Sequence, residues 1–149
     1  MTPQDAADLV ACERVASLFS HLLDEGDLDA AFALHHDDVR FYGPDGSGPF
    51  DRAGAREDAA RVRFAYPGRR TLHLISNFIG TPLPDGTVEA HYYLTVYELT
   101  ERVGDETLQL AAPRIFVLAA EDAIFSRAVG GEWKYSEQHL SLVAPMRKR

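Results

Sequence analysis

Arg70-Thr71-Leu72-His73-Leu74-Ile75-Ser76-Asn77-Phe78 repeats with the two-residue period of a β-strand. Thr71, His73, Ile75 and Asn77 fall on one face. Leu72, Leu74, Ser76 and Phe78 fall on the other, which reads as the core face. The first face sets an imidazole and an amide beside an aliphatic residue. That composition suits a half-buried wall lining a pocket, and it equally suits a sheet that keeps one hydrogen-bonded histidine in its core. The residue types alone leave both roles open.

Working outward, Thr81-Pro82-Leu83-Pro84-Asp85-Gly86 carries the Asp-Gly signal of a hairpin turn, and Val88 to Leu99 is rich in aromatic and β-branched residues. These predict an antiparallel pair. Thr100 to Asp105 reads as a polar connection, Leu108 to Arg127 as strand interrupted at Ala111-Ala112-Pro113, and Gly130-Gly131 as a tight turn. Glu132 to Val143 is the final strand. Trp133, Tyr135, Glu137, His139 and Ser141 are expected on one face, and Lys134, Ser136, Gln138, Leu140 and Leu142 on the other.

Upstream, the pattern changes to helical spacing. Leu9, Cys12, Ala16, Phe19 and Leu23 form an apolar stripe over Asp5–Glu25, with Pro3 at its start and Gly26 at its stop. Asp27 is placed to cap a short helix from Leu28 to about His35, Val39–Tyr42 reads as a strand, and Gly43–Pro49 as a loop. Asp51 caps a third helix, Arg52 to Phe64, which Tyr66-Pro67-Gly68 breaks. Helices first and antiparallel strands after is an α+β order, with the helices held on one side of a curved sheet. Bent around them, such a sheet makes a cone whose mouth can hold a ligand. No linker or repeat divides residues 1–149, so one domain is expected.

Composition narrows the function. A formal net charge of −8 repels a phosphate backbone, so nucleic acid is not an expected partner. No apolar run approaches the roughly 20 residues that span a bilayer, and the N-terminus lacks a basic signal-peptide head, so the expectation is a cytoplasmic protein without membrane contact. Cys12, the only cysteine, has no disulfide partner and reads as a core residue. The six histidines show no metal-ligand spacing. His35 and His36, read at a helix end before Asp37 and Asp38, would point apart.

Three stretches together resemble the nuclear-transport-factor-2-like superfamily and, within it, the SnoaL-like group. They are Phe19 to Phe32 continuing to Asp37-Asp38-Val39-Arg40-Phe41, then Thr71 to Asn77, then Glu121 to Arg127 with Gly131-Glu132-Trp133-Lys134-Tyr135. The resemblance implies the same cone-shaped α+β fold. Two branches are similar. One is scytalone dehydratase, whose helix aspartate and strand histidine match Asp24 and His73. Tyr97 stands where that enzyme has a second histidine, Asp122 where it has an asparagine, Leu23 where it has a tyrosine, and Tyr42 near a second tyrosine. The other is the small β subunit of ring-hydroxylating dioxygenases, a mainly structural chain in a larger assembly.

The resemblance points His73 into the cone with Asn77 further along its strand, and brings Asp24 from the first helix. A carboxylate beside an imidazole orients it, and an ordinary histidine pKa of about 6.5 lets it exchange protons near neutrality. The implied catalytic set is His73 as acid/base, Asp24 as its partner, and Asp122 and Tyr97 positioning substrate or water. Tyr42, Asn77, His91 and Tyr93 are the expected substrate contacts. Asp122, flanked by core residues, is read either as pocket-facing or as paired with a cation such as Arg127. The set needs neither metal nor organic cofactor. It suits proton abstraction beside a carbonyl, leading to dehydration, isomerisation or cyclisation of a hydrophobic, oxygenated polyketide-, aromatic- or steroid-like molecule. The alternatives are a non-catalytic β subunit of a dioxygenase and a ligand-binding module. A homodimer is expected from the resemblance.

Overall fold

A computed structural model describes residues 1–65, 69–100 and 113–144. Three helices precede four of the five strands: α1 (Pro3–Glu25), α2 (Leu28–Phe32), β1 (His35–Tyr42), α3 (Arg52–Phe64), β2 (Arg69–Pro82), β3 (Val88–Thr100), β4 (Arg114–Arg127) and β5 (Trp133–Ala144). The sheet runs β1-β5-β4-β3-β2, antiparallel throughout except for the parallel β1–β5 pair. Helices lie against one face of this curved, unclosed sheet, as the α+β order predicts. No described helix is long and apolar enough to cross a membrane. The expected break at 66–68, the polar connection after Thr100 and the start of the strand read from Leu108 lie outside the described residues.

Asp27, Asp51 and Gly26 cap where the sequence places them, while α1 begins at Pro3, ahead of the expected Asp5. Thr2 and Asp5 close a reciprocal capping box at the start of α1. Asp27 accepts from the Ala30 N–H, and Asp51 from the Gly54 N–H. Gly26 ends α1 at φ 83°, a left-handed conformation that favours glycine. The core forms where Cys12, Ala16 and Phe19 of α1 and Phe32 of α2 meet Val88, Ala90, Tyr92, Ala123, Phe125 and Tyr135 of the sheet. At Gly80 the backbone of β2 passes so close to α1 that a Cβ would sit 2.6 Å from Leu9 Cδ2.

Three strand readings are corrected. His35 and His36 belong to β1, not to a helix end, because α2 stops at Phe32. On β2, Leu72 and Leu74 are exposed, at 42 % and 46 %, while Thr71, His73 and Ile75 turn inward. The expected core face is therefore the outer face. A bulge then reverses the phase: Ser76 pairs with Tyr93 and Ile79 with His91, so two residues oppose Tyr92 alone. Asn77 takes φ 54° and turns to solvent, and Phe78 returns inward to stack on Tyr92. On β5 an extra residue at Ser136 does the same, so that Trp133 and Tyr135 face inward but Gln138, not Glu137 or His139, follows them.

Candidate active site

Asp24 sits on the last turn of α1, just before the Gly26 stop. Arg63, on the last turn of α3, donates from Nη1 to the Leu23 carbonyl at 3.0 Å, a cation at the electronegative end of α1. The helix end is thus held from two sides, and its carboxylate is delivered to the inward face of β2. There it accepts three bonds: from Thr71 Oγ1 at 3.2 Å, from the His73 backbone N–H at 2.8 Å, and from His73 Nδ1 at 2.5 Å. Both side chains are largely covered, with 17 % of His73 and 13 % of Asp24 exposed. A carboxylate only accepts, so Nδ1 carries the hydrogen and Nε2 is left to take or give a proton.

The sheet continues from this pair as an apolar wall. His73 lies opposite Val96 and Ile75 opposite Leu94. Leu94, Val96 and Ala119 form a buried cluster flanked by Ile75, Phe116, Val117 and Leu140. On the other side of the dyad the wall turns polar. Thr71 faces Glu98 across β2–β3, and Glu98 faces Arg114 across β3–β4. Glu98 is buried and accepts from Arg114 Nη2 at 2.8 Å.

Of the eight residues expected at the site, Asp24 and His73 are brought together. Asn77 leaves their face at the bulge. Tyr42, His91, Tyr93, Tyr97 and Asp122 lie on the outer face, opposite to His73, because inward positions on β3 are Tyr92, Leu94, Val96 and Glu98. Asp122 therefore does not converge with His73 and Asp24. It pairs with His91 Nδ1 at 2.7 Å, both groups substantially exposed, while Arg127 reaches Asp8 at 2.6 Å instead. Tyr42 stacks on His139 and accepts from Arg40 Nη2 at 2.6 Å.

The acid that does face inward on β4 is Glu121. Tyr92 OH and Gln138 Nε2 both donate to its Oε1, Tyr92 OH lies 2.9 Å from Tyr135 OH, and Gln138 Oε1 lies 2.7 Å from His35 Nε2. Burial pushes the Glu121 carboxyl up to about 7 and His35 down to about 4. The same burial drives the phenols of Tyr92 and Tyr135 well above their ordinary range. Sequence reasoning missed Glu98 and Glu121 by one position each, at Tyr97 and Asp122. The signal was present: Val88, Ala90, Leu94 and Val96 share one parity on β3, which puts Glu98 on the core side. Among the described residues no group of three or more His, Cys, Asp or Glu is placed to hold a metal ion. Two surface depressions, about 320 Å³ beside Arg14 and Trp133 and about 540 Å³ beside Asp5 and Pro84, contain no histidine.

Residues 4–138 match the SnoaL-like domain family. The chain belongs to that family. ActVI-ORFA from Streptomyces coelicolor is 18 % identical and superposes with a TM-score of 0.75, over 90 % of this chain and 96 % of the other. A candidate scytalone dehydratase from Novosphingobium aromaticivorans is 18 % identical with a TM-score of 0.74, over 100 % and 93 %. A protein from Catenulispora acidiphila, in complex with S-DNPA, is 18 % identical with a TM-score of 0.73, over 92 % and 94 %. At these identities the likeness shows the SnoaL-like fold. No curated protein matches the chain by sequence.

Proposed function

We propose that this SnoaL-like domain is a cofactor-independent lyase, isomerase or cyclase that moves a proton on a hydrophobic, oxygenated small molecule. The observation that carries the proposal is the Asp24–His73 pair, set on the inward face of the sheet beside the Ile75, Leu94 and Val96 wall. In this reading His73 Nε2 removes a proton next to a carbonyl. Asp24 keeps the ring in one tautomer and stabilises the imidazolium that forms. The C–H electron pair moves into the adjacent C=C as the carbonyl becomes an enolate. The imidazolium then returns the proton to carbon for isomerisation, or to a leaving hydroxyl for dehydration. The apolar wall supports a polyketide-like or aromatic substrate, because planar carbocycles recover the free energy of burial there.

The test does not require the natural substrate. Aromatic and alicyclic ketones are incubated with the protein in deuterated water, and exchange at the α-carbon is followed by NMR. Exchange by the native protein and its loss in His73→Ala, with an unchanged circular dichroism spectrum, is the expected result. Undiminished exchange in the variant overturns the assignment.

The proposal includes a homodimer formed through the outer sheet face, where Leu72, Leu74, Ile79, Tyr93 and Ile115 are 42 %, 46 %, 66 %, 40 % and 60 % exposed. Light scattering on native protein and on Ile79→Lys tests it. A monomeric native protein at micromolar concentration refutes it.

A further inference from the structure

Resting on the reading above, we propose that Arg114, held by Glu98, forms a subsite beside the dyad for the anionic oxygen of a planar ligand, as an enolate, phenolate or carboxylate. Three observations meet here. First, Thr71, Glu98 and Arg114 form one row across β2, β3 and β4. Thr71 donates to Asp24, and His73 is the next inward residue along β2, so the row borders the dyad. Second, Glu98 is only 4 % exposed although it lies next to the apolar Val96 and Leu94 positions. A buried carboxylate is costly, and a well-packed hydrophobic residue at such a place is commonly as stabilising or more so. Third, the Arg114 side chain is 63 % exposed, so its bond to Glu98 fixes the guanidinium without covering it.

A guanidinium has five N–H donors in a planar fork matched to oxygen anions. Bound to Glu98 through Nη2, it is aimed and not free to wander, and an aimed donor set costs little reorganisation when charge appears. Proton removal by His73 breaks a C–H bond and forms N–H. The electron pair passes into the new C=C, and the carbonyl π pair moves onto oxygen. That oxygen needs a donor at the moment it becomes negative, and Asp24, being acidic, cannot be one. Val96, Leu94 and Ile75 offer none. Arg114 is the cation of that row, two strands over from Thr71 and on the same side as Glu98, so the specificity it brings is for ligands with an enolisable carbonyl or an acidic oxygen.

The experiment compares two ligands of the same shape, 2-naphthoate and 2-naphthamide, by calorimetry at about pH 8. Native protein is expected to bind the anion roughly tenfold more tightly, the gain of a charge-assisted bond. Arg114→Gln is expected to remove that preference and to leave naphthamide affinity within about twofold, with Arg114→Lys restoring part of it. A native protein without preference, or one that binds neither ligand, overturns the subsite, as does a preference that survives Arg114→Gln. Absence of deuterium exchange together with an intact, Arg114-dependent anion preference would instead defeat the proton-transfer reading and leave the subsite standing.

Discussion

Asp24 grips His73 twice, with Oδ1 2.5 Å from the ring Nδ1 and Oδ2 accepting the backbone N–H at 2.8 Å. The same carboxylate thereby fixes both the tautomer of the ring and the place of its strand. Losing a positioned acid/base costs on the order of 10²- to 10⁴-fold in rate, so His73→Ala is expected to lower deuterium exchange by that range. Asp24→Asn retains an acceptor for one of the two bonds but loses the negative charge. Exchange is expected to fall by roughly 10²-fold, the smaller end of the same range, while the unfolding midpoint in urea moves little. Equal exchange by Asp24→Asn and native protein would remove Asp24 from the mechanism.

The position of Asp24 depends on how α1 ends. Gly26 holds φ 83°, and a Cβ there would meet Arg63 Nη2 at 2.4 Å. Gly26→Ala combines backbone strain with displacement of the guanidinium that bonds the Leu23 carbonyl. Destabilisation of about 1–2 kcal/mol is expected from urea unfolding. Deuterium exchange should fall as well, because the last turn of α1 carries the carboxylate. Arg63→Ala, which removes only the bond to the Leu23 carbonyl and adds no backbone strain, is expected to cost less, about 0.5–1 kcal/mol.

How far the sequence reached can be judged at particular residues. Helix starts and the stop of α1 were legible because their signals are local: Pro3, Asp27, Asp51 and Gly26 act on the backbone within a turn, whereas α2, with no such stop signal, ends at Phe32, short of the expected His35. Strand existence was legible for the same reason. The face a strand presents was not, because one extra residue inverts it and nothing local compels that residue. Asn77 permits the left-handed conformation, and the partner strand makes it necessary. On β3, where no bulge intervenes, the parity of Val88, Ala90, Leu94 and Val96 carries Glu98 inward and Tyr97 outward, although the family resemblance sets Tyr97 in the site. The meeting of Asp24 with His73 spans 49 residues and was legible only through family resemblance.

Asn77 provides a direct test of the bulge. Its φ of 54° is tolerated by asparagine and strongly disfavoured for a β-branched side chain. Asn77→Val is expected to destabilise by about 1–2 kcal/mol, and Asn77→Gly to change stability by less than about 0.5 kcal/mol. Near-ultraviolet circular dichroism should report loss of the Phe78–Tyr92 stack in the valine variant only. A valine variant as stable as the native protein would mean that β2 can pair without the bulge.

The buried network sets a pH dependence of its own. Glu121 is raised from an ordinary 4.5 to about 7, and His35 is lowered from 6.5 to about 4. Between about pH 4.5 and 7 the unfolded chain has released the Glu121 proton while the folded chain keeps it, so this group makes stability fall as pH rises. Between about pH 4 and 6.5 the unfolded chain binds a proton on His35 that the folded chain excludes, so this group makes stability rise with pH. Over the shared window each state holds one proton between the two residues, on His35 when unfolded and on Glu121 when folded, and their slopes cancel. Urea unfolding of the native protein is therefore expected to show no net contribution from the pair between about pH 4.5 and 6.5. Glu121→Gln, whose amide oxygen can still accept from Tyr92 and Gln138, should uncover the His35 slope. Its stability should gain on the order of 3 kcal/mol as pH rises from about 4 to 6.5, and should exceed that of the native protein above about pH 7. Parallel stability profiles for the native and Glu121→Gln proteins would show that Glu121 binds its proton equally in the folded and unfolded chains and is not raised by burial.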